Sequence, residues 1–444
     1  MGATLAITPV TAQSVPRIQF EKITLPNGLE LILHEDHSTP IVVVNTWYKV
    51  GSGDEKPGRT GFAHLFEHVM FMGSQNVPVG QFDKWLEAAG ANNNGSTTED
   101  RTNYYESMPS NALPLALWLD ADRMGKLLPV MDQSKLDLQR DVVKNERRQR
   151  VDNAPYGKSN ETIIAALYPA NHPYHWPVIG SMADLSAASL DDVKQFFRTY
   201  YAPNNATMVI AGDFNRDSAV TWVNRYFGAI PRGPQMPARP VVPPVAVARD
   251  TFLVLEDKVT LPRLYETWPT VPIFTPDDAP LDVLADVLAG DKNSRLYKRL
   301  VFEMQVAQDV TAFQNSGKLD GSFNIIVTPK PKQTPARMKE LVAEEVDKIT
   351  KDGVTSRELA RALNTRRAAF LDRIASVLGK SDRLAEYNYF AGTPDYIQKD
   401  AQRYDRVTAA DVQRVAARYL TKPKVVLTVV PQGQTQLMVS GGSN

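Results

Sequence analysis

The sequence predicts an α+β protein built from two homologous domains, each a mainly antiparallel β-sheet covered by helices. Three observations carry this. The segment 189–213, "SLDDVKQFFRTYYAPNNATMVIAGD", has a counterpart 219 positions later at 408–432, "TAADVQRVAARYLTKPKVVLTVVPQ". Each copy opens with Ser or Thr three residues before an aspartate, a capping-box start, then runs through a helix ending in tyrosine to a turn and a β-branched strand. Asp192 and Asp411, Val193 and Val412, and Tyr200 and Tyr419 coincide at that offset. Between the copies, "IPRGPQMPARPVVPP" places six prolines between 231 and 244, where neither helix nor central strand persists. Finally, neighbouring strands with short connections favour an antiparallel sheet over a doubly wound one.

Taken in order, the chain divides into an N-terminal segment 1–16, a first half 17–230, a stiff proline-rich linker 231–247 and a second half 248–444. The first 14 residues are small and weakly apolar, with no charge before Arg17. They read as the remnant of an export signal without its basic start, which gives a periplasmic expectation; a plain tail on a cytoplasmic chain is the alternative. "GLELILHED" (28–36) and "PIVVVNTWYKV" (40–50) read as paired strands after an Asn27-Gly28 turn. Helical periodicity marks 110–127, 132–150, 335–351 and 355–379. "NNNGSTTEDRTNYY" (92–105) reads as a loop running into an edge strand.

Composition narrows the function. Lys plus Arg equals Asp plus Glu, at 50 each, which leaves no electrostatic footprint for nucleic acid or an anionic membrane. No run of 18 apolar residues is present to span a bilayer. Cysteine is absent, so any metal must be held by nitrogen and oxygen. Of six histidines, two fall within "HLFEH" at 64–68. On a helix, positions i and i+4 share a face, so His64 and His68 could bind one metal ion, with Glu67 beside them. Two histidines need a third protein ligand to leave a fourth position for water. Glu146, 78 positions after His68 on the helix bearing Val142 and Val143, is a candidate. Asp137 and Asp141 on the same helix remain open on spacing alone.

Several ordered motifs carry a resemblance: "GRTGFAHLFEHVMFMGS" (58–74), "NNNGSTTEDRTNYYESMP" (92–109), "QRDVVKNERRQR" (139–150), "HPYHWPVIGSMADL" (172–185) and "YYAPNNATMVIAGDF" (200–214). Over nearly its whole length the chain resembles the inverted-motif zinc peptidases of the pitrilysin and insulinase type, including mitochondrial processing peptidase. The resemblance implies one Zn2+ per chain on His64, His68 and Glu146, and Glu67 as the general base that activates water. It implies that Asn94, Gly95 and Ser96 lie on the strand that pairs with a peptide substrate. Where the family usually has a glutamate seven residues before the distal ligand, this chain has Gln139, expected to support the site from the same helix face.

The second half has no histidine at all, since none follows His175. By the frame of "NSRLYKRLVFEMQVAQDV" (293–310), the family's substrate-holding arginine and tyrosine fall on Val301 and Gln308. Neither replaces an oxyanion donor. The resemblance therefore implies a heterodimer, with a related subunit that lacks zinc and supplies the Arg/Tyr pair. A homodimeric peptidase and a non-catalytic scaffold subunit are the alternatives.

Overall fold

The structure is a computed structural model that describes residues 15–441; residues 1–14, which hold most of the expected signal remnant, lie outside the described residues. Six strands form the first sheet: β1 (Glu21–Thr24), β2 (Glu30–Glu35), β3 (Ile41–Tyr48), β4 (Asn92–Thr97), β5 (Thr102–Pro109) and β6 (Ala206–Gly212). Their order is β1-β2-β6-β3-β5-β4, and only β2 and β6 run parallel. Five strands form the second: β7 (Thr251–Asp257), β8 (Arg263–Pro269), β9 (Ala307–Ser316), β10 (Gly321–Pro329) and β11 (Val425–Pro431). Their order is β7-β11-β8-β10-β9, and only β7 and β11 run parallel. Without β1, the two orders match strand for strand.

The duplicated segment occupies the same place in both sheets. Ser189 and Asp192 form one capping box and Thr408 and Asp411 the other. The strands that follow, β6 and β11, are buried along their whole length. Each is covered on both faces, Met208 and Ile210 entering one core and Val209 and Ala211 another, and Val426 one and Leu427 and Val429 another, which accounts for the nearly unbroken apolar runs.

The helices of the first half are, in order, α1 (Phe62–Val69), α2 (Gln81–Ala88), α3 (Leu113–Lys126), α4 (Gln133–Arg147), α5 (Ser159–Leu167), α6 (Met182–Ala187), α7 (Leu190–Tyr200) and α8 (Arg216–Phe227), of which α5 packs on β8 and β11 of the second sheet. The second half adds α9 (Asp278–Ala289), α10 (Pro335–Asp352), α11 (Ser356–Arg373), α12 (Val377–Glu386), α13 (Ile397–Asp405) and α14 (Ala409–Val415). One core gathers Leu31, Val44, Phe66 and Tyr104. A second gathers Leu264, Trp268, Phe323 and Val412. A third joins the halves, where Leu384 and Tyr387 pack on Ile32, Trp47 and Val209. No helix or strand lies between Phe227 and Thr251.

Three local expectations are corrected. β2 and β3 do not pair, because β6 sits between them and bonds to both. Adjacent sequence favours a hairpin, but a strand as apolar as β6 is satisfied only with a partner on each edge. The Asn27-Gly28 turn instead joins β2 to β1. The helix expected over 355–379 is two helices: Ser376 accepts the Gly379 N–H and starts α12 afresh. On α4, Val143 is buried but Val142 is exposed.

Candidate metal centre

The site begins with the start of α1. Gly61 sits at φ +88°, a left-handed conformation, and a Cβ there would come within 2.8 Å of the Ile179 carbonyl oxygen. The buried Glu55 carboxylate accepts the N–H groups of Gly61 at 2.9 Å and Ala63 at 2.7 Å. This satisfies donors that a helix start otherwise leaves bare. Phe62, Leu65, Phe66 and Val69 point into the core, and the helical period turns His64, Glu67 and His68 the other way.

Helix α4 packs on α1 through Leu136, Val143 and its neighbours and brings Glu146 across. Glu146 Oε2 lies 3.1 Å from His68 Nε2 and 3.7 Å from His64 Nε2. One ligand atom from each of the three residues lies within 4.8 Å of the other two. Asp137 and Asp141 are exposed on another face of α4 and do not join them. Arg150, one turn beyond, holds the other oxygen of Glu146 at 2.8 Å.

The protonation states suit a cation. Burial, then the neighbouring His68, pushes His64 down to about 4. The hydrogen bond from His68 lowers Glu146. At neutral pH the donors are therefore a neutral imidazole and a carboxylate, the forms that bind metal. Two nitrogens and one oxygen in reach of one point fit a zinc ion with room for water.

This geometry sets a pH dependence in metal-free protein. The unfolded chain protonates His64 near 6.5 and the folded chain only near 4. Stability is thus present above that window and is lost as pH falls through it, by on the order of 3 kcal/mol. Chelated protein followed by urea unfolding between pH 7 and 4 should show this loss, and His64→Gln should flatten it.

Glu67 stays off the cluster. Burial raises its carboxyl above the usual range, opposed chiefly by a 2.6 Å hydrogen bond that Thr97 Oγ1 donates to Oε2. Thr97 lies on β4, the edge strand, whose alternate residues face opposite ways. Gly95 and Thr97 face Glu67, whereas Ser96 donates to Asn103 and lines a cleft of about 880 Å3 between the halves. Asn94 is exposed, and its Oδ1 accepts the Gly95 N–H at 2.8 Å. Asn94 lines a small pocket with Glu67 and His68, so of the three residues expected to act together Asn94 and Gly95 reach the site, whereas the Ser96 side chain turns away from it.

A Cβ at Gly95 would come within 2.9 Å of Glu67 Cγ. Gly95→Ala is expected to push the Glu67 side chain aside and lower turnover several-fold without loss of zinc, as read by kcat and elemental analysis.

Gln139 is corrected as a support of the cluster. Its amide donates to Met72 Sδ, and it makes no hydrogen bond to His64, His68 or Glu146. Seven residues along a helix is about 10 Å, which carries Gln139 beyond the end of α1. Glu55, Thr97 and Arg150 are functional neighbours that sequence reasoning missed. The period-2 relation to Gly95 was the available signal for Thr97 and the i, i+4 spacing from Glu146 that for Arg150; nothing local marks Glu55. In the second half, Val301 is partly buried against the core and Gln308 is exposed on β9. Nearby Arg295 is bound to Glu358 at 2.6 Å, and Arg299 to Glu345 at 2.7 Å.

Duplicated α+β halves with a His/His/Glu cluster that, among the described residues, occurs in the first alone define a class, the two-domain insulinase-type chains. Comparison with known proteins agrees. The model of the insulinase (peptidase family M16) domain matches residues 30–174, and that of the peptidase M16 inactive domain matches 187–366. The chain is 30% identical over 407 residues to the zinc protease PqqE of Helicobacter pylori, covering 90% of each. It is 22% identical to a probable mitochondrial-processing peptidase subunit beta of Arabidopsis thaliana, covering 92% of this chain and 77% of that one. The crystal structure of a protease from Helicobacter pylori superposes with a TM-score of 0.85 at 27% identity, covering 93% and 99%. The chain belongs to the insulinase (peptidase M16) family.

Proposed function

We propose that this chain is the zinc-bearing subunit of a metalloendopeptidase that cuts oligopeptides or unfolded segments, with one Zn2+ held by His64, His68 and Glu146. The observation that carries the reading is the convergence of these three donors beside an unliganded, half-buried Glu67 at the open edge of a sheet. His64, His68 and Glu146 would hold the zinc ion, which would supply a water of lowered pKa and a Lewis acid for a carbonyl. Glu67 takes the proton from that water and returns it to the departing amine, a task suited to a carboxyl raised by burial. Thr97 fixes which way that carboxylate points. β4 is paired on its β5 side alone, and its outer edge takes an extended peptide as a further strand once the Asn94 side chain releases the Gly95 N–H.

The substrate's developing oxyanion still needs a donor. Val301 offers none, Gln308 is a poor substitute for a phenol, and Arg295 and Arg299 are committed to glutamates. A related subunit carrying an arginine and a tyrosine supplies what is missing, so the working form is a heterodimer. A homodimer would double the metal site without adding the pair. A scaffold role is disfavoured because His64, Glu67, His68 and Glu146 are all retained and assembled. A periplasmic location remains part of the proposal, resting on residues 1–14.

The test is cleavage of a quenched unstructured peptide by the purified chain, with zinc assayed on the same sample. One zinc with almost no cleavage, rescued by an Arg/Tyr-bearing relative, supports the heterodimer. Strong chelator-sensitive cleavage by the lone chain would keep the peptidase and overturn the need for a partner.

A further inference from the structure

A second, half-buried ionic cluster lies in the other half. Arg366 on α11 reaches Asp286 Oδ2 at 2.8 Å and Asp282 Oδ2 at 3.2 Å, both on α9. Its Nη2 also donates to the Asp282 carbonyl at 3.2 Å. Tyr404 donates to Asp282 Oδ2 at 2.6 Å, and the guanidinium carbon sits 5.3 Å from the centre of the Tyr404 ring.

The place of this cluster in the fold matches that of the metal centre. Helix α9 follows β8 as α1 follows β3, and α11 packs on α9 as α4 packs on α1. His64 and His68 stand one turn apart on α1, as Asp282 and Asp286 do on α9. Glu146 is brought across from α4, as Arg366 is from α11. Asp282 and Asp286 lie 218 positions after His64 and His68, and Arg366 lies 220 after Glu146. These values bracket the 219-residue offset of the duplicated segment. The chemistry is inverted. In the first half, the paired side chains are imidazoles and the opposing one is a carboxylate, a donor set that an added cation would tie together. In the second, the paired side chains are anions and the opposing one is itself the cation. A guanidinium never gives up its charge in a protein and presents several donors in a fixed plane.

We infer that Arg366 takes the place of the metal ion in the second half, as a resident cation that locks α9 to α11. The second helix pair is therefore independent of metal, whereas the first is tied by it. The inference about Arg366 stands apart from the zinc reading; only its contrast with the first half rests on it.

Amide hydrogen exchange of the full chain tests both. Chelation is expected to raise exchange in α1 and α4 and to leave α9 and α11 unchanged. Arg366→Leu is expected to raise exchange in α9 and α11 at least tenfold, with zinc still at one per chain. Arg366→Lys, which keeps charge but not the fork, should fall between. The triple substitution Asp282→His, Asp286→His, Arg366→Glu should raise bound zinc from one to two per chain and make α9 and α11 sensitive to chelator. Unchanged exchange in Arg366→Leu, or a folded triple variant holding a single zinc, overturns the inference. If Arg366→Leu does not fold, the lysine and triple variants decide. Chelation that leaves α1 and α4 unaffected counts against the zinc reading and not against Arg366.

Discussion

Glu67→Gln is expected to reduce peptide turnover by roughly 10²–10⁴-fold while zinc stays at one per chain. The amide keeps the shape of the side chain and can still meet the Thr97 hydroxyl, but it cannot accept a proton from water. Glu67 is not one of the three residues that could share an ion, so zinc is expected to stay bound. The measurement is kcat of the cleaving complex on a quenched peptide, beside elemental zinc on the same protein. Zinc lost together with activity would make Glu67 a ligand. Turnover within a few-fold of normal would remove it from the chemistry.

The second large effect is on stability. Arg239, from the proline-rich linker, reaches Asp54 Oδ1 at 2.8 Å and Asp54 Oδ2 at 2.5 Å, and Asp100 Oδ1 at 2.6 Å. Asp100 also accepts Tyr174 Oη at 2.8 Å and the Lys318 N–H at 2.9 Å, so one guanidinium joins the linker and the first half at a carboxylate that the second half also contacts. Both carboxylates are nearly fully buried. Removing one partner of a buried ionic group strands the others, and Arg239→Leu is expected to cost about 3–5 kcal/mol in urea or thermal unfolding. The stranded carboxyls gain stability by taking up protons, so the deficit should shrink as pH falls. Asp54 precedes Glu55, which holds the start of α1, and zinc affinity should weaken as well. A cost below about 1 kcal/mol would place this cluster among ordinary surface pairs.

Much of the site was legible because it is local. The i, i+4 spacing of His64 and His68 and the placement of Glu67 beside them follow from the helical period, and α1 is a helix because Phe62, Leu65, Phe66 and Val69 alternate with them at that period. The duplication was legible for the same reason: a capping box, a helix and an apolar strand each leave a mark within a few residues. Strand alternation could have set Ser96 apart from Gly95 and Thr97, but which face meets Glu67 depends on how α1 lies across β4.

By itself the sequence determined the α+β halves, the helix that carries the histidines, the absence of thiolate ligands and the loss of histidine from the second half. The tertiary structure alone decided that β6 separates β2 from β3, that Gln139 turns to Met72, and that Arg366 stands between Asp282 and Asp286, while Glu146, level with Asp137 and Asp141 on spacing and singled out by the family motif, is the acid that reaches the histidines. The reason is range. A helical or strand period fixes the direction of a side chain relative to its own element, whereas the partner it meets is set by packing between elements tens to hundreds of residues apart, where sequence spacing carries no direction.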